Sequence, residues 1–209
     1  MLILSHRGFW LSASEKNTVA AFKRSFEQGF GLETDIRDYQ GDLVISHDIP
    51  AESSLPFEDF LQIHRDIGPH LPLALNIKAD GLQVLVLELL KKYQVSNYFT
   101  FDMSVPDMLG YLKADIDVFS RQSEYEPDPA CYGQAEGIWL DGFHGEWWSG
   151  QVIQEHLEHH KKVCIVSPEL HRRPHLPSWE KMKSYPWCAH PDVMLCTDFP
   201  QQALEFFHG

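Results

Sequence analysis

No stretch of this sequence approaches the roughly 20 apolar residues that a membrane-spanning helix needs. The chain opens MLILSHRG, without the basic stretch or the long apolar segment of a secretory leader. The expectation is a cytoplasmic protein with no stable membrane association. Cysteine is scarce as well. Cys131, Cys164, Cys188 and Cys196 form no C-x-x-C pair and fit no zinc spacing, so all four are expected to be reduced and structural. Basic residues are outnumbered, 17 against 30 acidic, for a formal net charge of −13. Such a surface speaks against nucleic acid or an anionic membrane as partner. It leaves room for a small phosphate compound, because a metal ion and a few buried cations can set a local field against the global one. No glycine-rich dinucleotide fingerprint follows the first extended run, which weighs against a doubly wound nucleotide-binding sheet. No linker, low-complexity segment or charge block interrupts the chain. Residues 1–209 are therefore read as one domain, long enough to bury a full core.

What the sequence does have is alternation. Short β-rich runs recur at Leu2–Ser5, Gly31–Ile36, Leu73–Lys78, Tyr98–Asp102, Val118–Arg121, Gly137–Asp141, Val163–Ser167 and Val193–Thr197. Between most of them lie helical patterns. Thr18–Gln28 places Val19, Phe22 and Phe26 at helical spacing behind Asn17 as N-cap, and Leu82–Tyr93 is the strongest helix. Gln151–His160 and Gln201–Phe207 are weaker ones, and Pro168–Pro177 reads as loop. Repeated units of this length imply parallel strands joined by crossover helices. Eight strand candidates fit a (β/α)8 barrel without a large cap insertion. An additional turn at Gly41 leads into Leu43–Ser46 and delivers His47-Asp48 near the end of the second strand.

In such a barrel the reactive groups belong at the C-terminal ends of the strands. Polar residues gather there: His6 and Arg7, Glu33 and Asp35, Asn76 and Lys78, Asp102, Arg121, Asp141, Glu169 and Asp198. Residues two apart on a strand share a face, so Glu33 pairs with Asp35 and Asn76 with Lys78. If both pairs face inward, two carboxylates and an amide oxygen converge. Neighbouring carboxylates repel unless a cation or a shared proton compensates, and a hard divalent ion with oxygen ligands is the natural solution. Lys78 and Arg7 would then face a phosphate. Taken singly, each residue has a plainer reading: Glu-x-Asp as a solvated strand edge, His6 as a structural histidine, Lys78 as a surface lysine. Their joint occurrence carries the argument.

His6-Arg7-Gly8, Asn17-Thr18 with Ala21-Phe22, Glu33-x-Asp35, His47-Asp48, Asn76-x-Lys78 and Thr197-Asp198-Phe199-Pro200 fall in one order along nearly the whole chain. In this the sequence resembles the glycerophosphodiester phosphodiesterase family, as a divergent member. The resemblance implies the (β/α)8 barrel independently. It also implies Glu33, Asp35 and Asn76 as ligands of a divalent metal ion, Mg2+ or Ca2+. His6 and His47 would be the acid–base pair, and Arg7 and Lys78 the phosphate-binding cations. The implied reaction is attack on phosphorus by a hydroxyl next to the ester, with proton transfers through the two histidines, followed by opening of the cyclic phosphate by water.

The sequence departs from the family pattern in three places. The usual E-x-K reads Asn76-x-Lys78, so an amide replaces a charged ligand, with Asp80 or Asp102 available to compensate. Lys16 interrupts the usual E-N-T. Leu73 follows Asp48 by 25 positions (73 − 48), too few for a cap. Asp102, Arg121, Asp141, Trp147, Trp148, Glu169 and His171 are candidates for contact with the rest of the substrate; Trp147 and Trp148 could equally pack a long loop. His156, His159 and His160 read as a solvated helix face.

The expected activity is metal-dependent hydrolysis of a small glycerophosphodiester-like or sugar- or nucleotide-linked phosphodiester. Alternatives are a phospholipase D-like lyase that stops at the cyclic phosphate, and a non-catalytic phosphate-binding barrel. A glycosidase would need Asp141 and Glu169 as its carboxylates and would leave His6, His47 and Lys78 idle.

Overall fold

A computed structural model describes residues 1–209. The chain resolves into two compact units, residues 5–118 and residues 1–4 with 119–209, and the boundary falls inside strand β1 (Leu2–His6).

In residues 5–118, β1 ends at His6. Helix α1 (Val19–Glu27), strands β2 (Gly31–Tyr39), β3 (Asp42–Ile45) and β4 (Leu55–Pro56), helix α2 (Phe57–Ile67), strand β5 (Leu73–Ile77), helix α3 (Gln83–Lys92), strand β6 (Tyr98–Phe101) and helix α4 (Val105–Lys113) follow. Strands β2, β5 and β6 are parallel neighbours, in a register that sets Asp35 beside Asn76. Thr100 bridges Val118 in parallel just beyond. The β2–β3 hairpin turns through Gln40 and Gly41, both at positive φ (53° and 96°), the backbone twist that a two-residue hairpin favours. The ladder continues one step to Ser46 N–H on Asp35 C=O (3.0 Å), which places His47 directly after the strand. Strand β4 and helix α2 fill the stretch between Asp48 and Leu73, as expected for a chain without a cap.

Thr18, not Asn17, caps α1: its hydroxyl accepts the Ala21 N–H. Asn17 lies one residue outside, at φ 58°. Helix α1 packs on α2 through Phe22 and Phe60, whose rings meet edge to face at 4.8 Å. Gly8 sits where α1 presses on the end of β1. Its φ is +87°, and a Cβ there would lie 2.8 Å from the Ala21 Cβ, so only glycine lets the backbone pass.

The second unit contains strands β7 (Phe119–Gln122) and β8 (Gly137–Leu140), helix α5 (Gly150–Glu158), strand β9 (Lys162–Val166), helix α6 (Leu176–Lys183), strand β10 (Val193–Thr197) and helix α7 (Pro200–His208). Strands β7 to β10 are parallel and adjacent in sequence order, with β1 beside β10. Gly137 admits Phe119 and the Lys162 carbonyl where a Cβ would stand 2.5 and 2.6 Å from them. Trp179 anchors this core; it is wholly buried and donates its indole N–H to Ser167 Oγ (2.9 Å).

The parallel strands fall on the eight expected runs, shifted by at most one residue at their ends except for β2, which runs three residues past Ile36 to Tyr39. Helices α2, α4 and α6 occupy stretches where no helix was expected, and α6 takes the end of the presumed loop at Pro168–Pro177. His156 is a correction: it is buried, bonded to Gln122 Oε1 (2.8 Å) and the Tyr132 hydroxyl (2.9 Å), while His159 and His160 are exposed. All four cysteines are free thiols, Cys164 and Cys196 buried. No helix is long and apolar enough to cross a membrane.

Candidate active site

Within residues 5–118, the ends of β1, β2, β5 and β6 bring together His6, Arg7, Glu33, Asp35, Asn76, Lys78 and Asp102. Glu33 and Asp35 are 1% and 0% exposed. Buried carboxylates demand compensation. Asp35 has it on three sides. Arg7 Nε lies 3.1 Å from its Oδ2, Asn17 Nδ2 donates to the same oxygen at 2.9 Å, and Lys78 Nζ is 3.4 Å from Oδ1. Glu33 is served less well. Its Oε2 accepts the Arg7 N–H (3.2 Å) and faces His6 Nε2 at 3.9 Å. Burial, reinforced by the charge of Asp35, pushes its carboxyl up to about 7.

Asn76 donates through Nδ2 to Asp102 Oδ2 (3.3 Å), and Lys78 Nζ stands 4.0 Å from that oxygen. Asp102 therefore belongs to the site. Asp80 is exposed and accepts the hydroxyl of Ser104, the N-cap of α4.

Two acceptor atoms lack a hydrogen bond. Asn76 Oδ1 and Asp35 Oδ1 are both buried, and Asp35 Oδ1 faces only the ion-pair contact with Lys78 at 3.4 Å. Orphaned buried acceptors are uncommon. Here they are the amide and carboxylate oxygens expected to hold a divalent ion, on residues paired across β2 and β5. The protonation-prone Glu33 stands two residues along the same face of β2. No group of three or more histidine, cysteine or carboxylate side chains assembles as a metal cluster anywhere in the chain. The donor set is two carboxylates and one amide. Hard, oxygen-only and partly neutral, it fits Mg2+ or Ca2+ rather than a softer ion.

His47 differs from His6. Its side chain is 45% exposed against 14%, and Nδ1 pairs with Asp48 Oδ1 at 2.9 Å. The hydrogen bond from His47 holds the Asp48 carboxyl below its usual range. With Nδ1 so engaged, Nε2 is the nitrogen left for chemistry.

Sequence reasoning missed the part played by Asn17. Held at positive φ by its N–H on the Arg7 C=O (2.9 Å), it accepts the Thr34 hydroxyl (2.9 Å) while donating to Asp35, and so fixes the carboxylate from behind. The signal lies in the motif Asn17-Thr18, whose position before a helical pattern points to a cap instead.

The remaining candidates lie in the second unit. Asp141 Oδ1 pairs with His171 Nε2 at 2.6 Å, and Trp147 donates to the Asp141 C=O (2.6 Å). Glu169 accepts from Ser167 Oγ, Thr197 Oγ1 and the Asp198 N–H, so it braces the ends of β9 and β10. Arg121 pairs with Glu126. Trp148 is buried, with Lys181 Nζ 5.8 Å from its ring, which is the packing alternative for that residue. A residue not foreseen organises this region. Glu124 accepts the N–H groups of Phe143, His144 and Gly145 at 3.0, 2.9 and 3.3 Å. Desolvation works against its charge, yet these donors hold its carboxyl down at about 2. A carboxyl whose folded value lies below its unfolded value of about 4.5 stabilises the fold above that pH, and the contribution is lost as pH falls toward 2. Because solvent reaches Glu124 and screens these contacts, the shift is worth only a fraction of its face value; Glu124→Gln should lower the Tm at pH 7 by about 2 to 4 °C, as a loss near 1 kcal/mol does in a chain of this length. It should also flatten the fall in Tm between pH 4.5 and 2; parallel acid limbs in melts of the two proteins would refute the assignment.

No family model matches the chain, and no curated protein matches its sequence. Solved structures match it along its whole length. A candidate glycerophosphodiester phosphodiesterase from Galdieria sulphuraria superposes with a TM-score of 0.79 at 18% identity, over 100% of this chain and 98% of that one. A glycerophosphodiester phosphodiesterase from Agrobacterium tumefaciens gives 0.76 at 14%, over 100% of both chains. A phosphodiesterase from Oleispira antarctica, solved with the product sn-glycerol-3-phosphate, gives 0.70 at 16%, over 100% and 97%. At these identities the likeness shows the fold. The chain has the (β/α)8 barrel architecture of these phosphodiesterases.

Proposed function

We propose that the protein is a metal-dependent phosphodiesterase of the glycerophosphodiester phosphodiesterase family, acting on a small phosphodiester. The carrying observation is the orphaned Asn76 Oδ1 and, paired with it across the strands, Asp35 Oδ1, which faces Lys78 Nζ at 3.4 Å without a hydrogen bond, beside the raised carboxyl of Glu33. An amide oxygen without a donor and two buried carboxylates, next to two cations and a histidine at the ends of neighbouring strands, suit a cation together with a phosphate. The Oleispira antarctica protein's product, sn-glycerol-3-phosphate, suggests glycerol phosphate as the retained half.

Glu33, Asp35 and Asn76 would hold the ion. When bound, a divalent ion supplies Lewis-acid stabilisation of charge on the phosphoryl oxygens. Arg7 and Lys78 hold the same oxygens from the protein side, and both are kept in place by Asp35. The hydroxyl next to the ester attacks phosphorus and gives its proton to one imidazole. The ester bond to the leaving alcohol breaks, and the other imidazole, protonated beforehand, gives its proton to the departing oxygen. The products of this half are an alcohol and a cyclic phosphate. Water then adds to the cyclic phosphate with the histidine roles reversed.

Bis(p-nitrophenyl) phosphate and glycerophosphodiesters should both be cleaved with Mg2+ or Ca2+, and EDTA should reduce the rate by at least about 100-fold, given the several kcal/mol that metal charge stabilisation supplies. Phosphorus NMR should show monoester accumulating. A persistent cyclic phosphate would assign a lyase instead, and EDTA-insensitive turnover would remove the metal from the account.

A further inference from the structure

The side chain of Asn76 can fill its place in two ways, because an amide can turn over and exchange Oδ1 for Nδ2. The residue that decides between them is Asp102. Strands β5 and β6 pair Asn76 with Phe101 in parallel, so those two side chains share a face. Strict alternation would send the next side chain, Asp102, to the opposite face. The backbone departs from that alternation. Asp102 stands at φ 66°, in the left-handed region that aspartate tolerates better than most residues. The turn brings its carboxylate back to Asn76, with Oδ2 at 3.3 Å from Nδ2 and 4.0 Å from Lys78 Nζ. An ionised carboxylate only accepts hydrogen bonds, so only the NH2 end of the amide can face it. Asn76 Oδ1 is thereby turned the other way, buried and without a donor.

We infer that Asp102 is a positioning residue of the metal site: by claiming the NH2 of Asn76, it aims the amide oxygen at the ion. The inference rests on the metal-dependent reading above and adds to it how a neutral side chain serves as a ligand. The charge that Asn76 lacks stands one hydrogen bond behind it, on Asp102. A carboxylate that accepts from an amide NH2 polarises the amide, and the amide oxygen then binds a cation more strongly. The left-handed turn at the end of β6 is what makes this possible, since an extended residue there would point its side chain away. Asp102 and Asp35 also share the Lys78 ammonium, so the carboxylate that orients the ligand helps to place a phosphate-binding cation.

A double-mutant cycle separates orientation from charge. Wild type, Asp102→Asn, Asn76→Glu and the double variant are each titrated calorimetrically with Mg2+ and Ca2+. An amide at position 102 can meet either end of Asn76, so Asp102→Asn should weaken binding of the ion about tenfold in the wild-type background. In the Asn76→Glu background there is no amide to turn, and the same substitution should cost less than about threefold. Equal losses in both backgrounds would reduce Asp102 to a charge and overturn the inference, as would no loss in the wild type. Melts without added ions give a second measure that needs no metal. Asn76→Glu should lower the Tm by about 3 °C or more opposite Asp102, where two carboxylates meet. It should not lower the Tm in the Asp102→Asn background, where position 102 can donate to the new carboxylate. A fall of the same size in both backgrounds would mean that residue 76 does not meet Asp102 through its NH2. If no ion binds any of the four proteins, the metal reading falls and the aim at an ion falls with it, while the melts still show whether Asp102 holds the amide.

Discussion

His6→Gln is expected to cost at least about 1,000-fold in kcat on any phosphodiester, near the upper part of what positioned acid–base groups contribute. The argument is geometric. His6 is the last residue of β1, its carbonyl fixed by the Trp10 indole N–H (3.1 Å) and its ring held against Glu33 in a pocket that leaves 14% of the side chain exposed. It is largely buried, and its near neighbours at the strand ends are the expected metal and phosphate ligands. Glutamine keeps a polar side chain of similar reach but cannot take up a proton near neutral pH. A fall in kcat with KM nearly unchanged would mark a group that acts in the transition state. Two controls separate chemistry from structure: the thermal shift produced by Ca2+ or Mg2+, and the Tm without added ions. Both should stay close to wild type. A variant that keeps a tenth or more of wild-type kcat would remove His6 from the reaction and leave Glu33 as the group to examine as base.

The elements that place His6 were the most legible in the sequence. Each parallel strand is a short run of β-branched, leucine or aromatic residues ending in a charged or polar side chain, and burial on both faces removes the ambiguity of a half-exposed strand. The helices that escaped notice did so for identifiable reasons. In α2 the apolar stripe Phe57, Phe60, Leu61 is completed by His64, a titratable residue in a core position, where burial lowers its basicity and Nε2 bonds the Leu71 C=O (3.0 Å). Helix α4 carries Pro106 in its first turn and Gly110 in its interior, both of which read as breaks although proline in the first turn is well tolerated. Helix α6 starts Leu176-Pro177, straight after the proline- and arginine-rich stretch that looked like loop. The buried His156 went unrecognised because its partners, Gln122 and Tyr132, lie 34 and 24 residues away. In the site, motif spacing marked the acid–base, metal and phosphate candidates. It could not show that Asn17 steadies Asp35 or that Glu169 braces two strand ends, because both depend on partners distant in sequence.

The substitution of an amide for a carboxylate at position 76 has a signed consequence that needs no substrate. Asn76 gives Nδ2 to Asp102 and leaves Oδ1 without a donor. In the metal-free protein this is the less repulsive choice, since a third carboxylate would stand against Asp35 and Asp102 among side chains already nearly sealed from water. In the metal-bound protein it is the weaker choice, since one formal charge is missing. Mg2+ or Ca2+ at about 100 times its Kd should stabilise the wild-type fold by about 2.7 kcal/mol. That raises the Tm by about 5 to 10 °C in a chain of this length. Asn76→Glu should start from a lower Tm without metal, show a larger rise with it, and bind about tenfold more tightly, the equivalent of about 1.4 kcal/mol. Asp35→Asn should abolish the rise, because it removes a charged ligand and also strands Arg7 and Lys78 without their shared partner. Calorimetric titration with each ion, beside melts of the three proteins, measures all of this. Equal rises in wild type and Asp35→Asn would place the ion elsewhere. No rise in wild type at millimolar Mg2+ or Ca2+, with a clear rise in Asn76→Glu, would mean that residue 76 alone decides whether this barrel holds a metal.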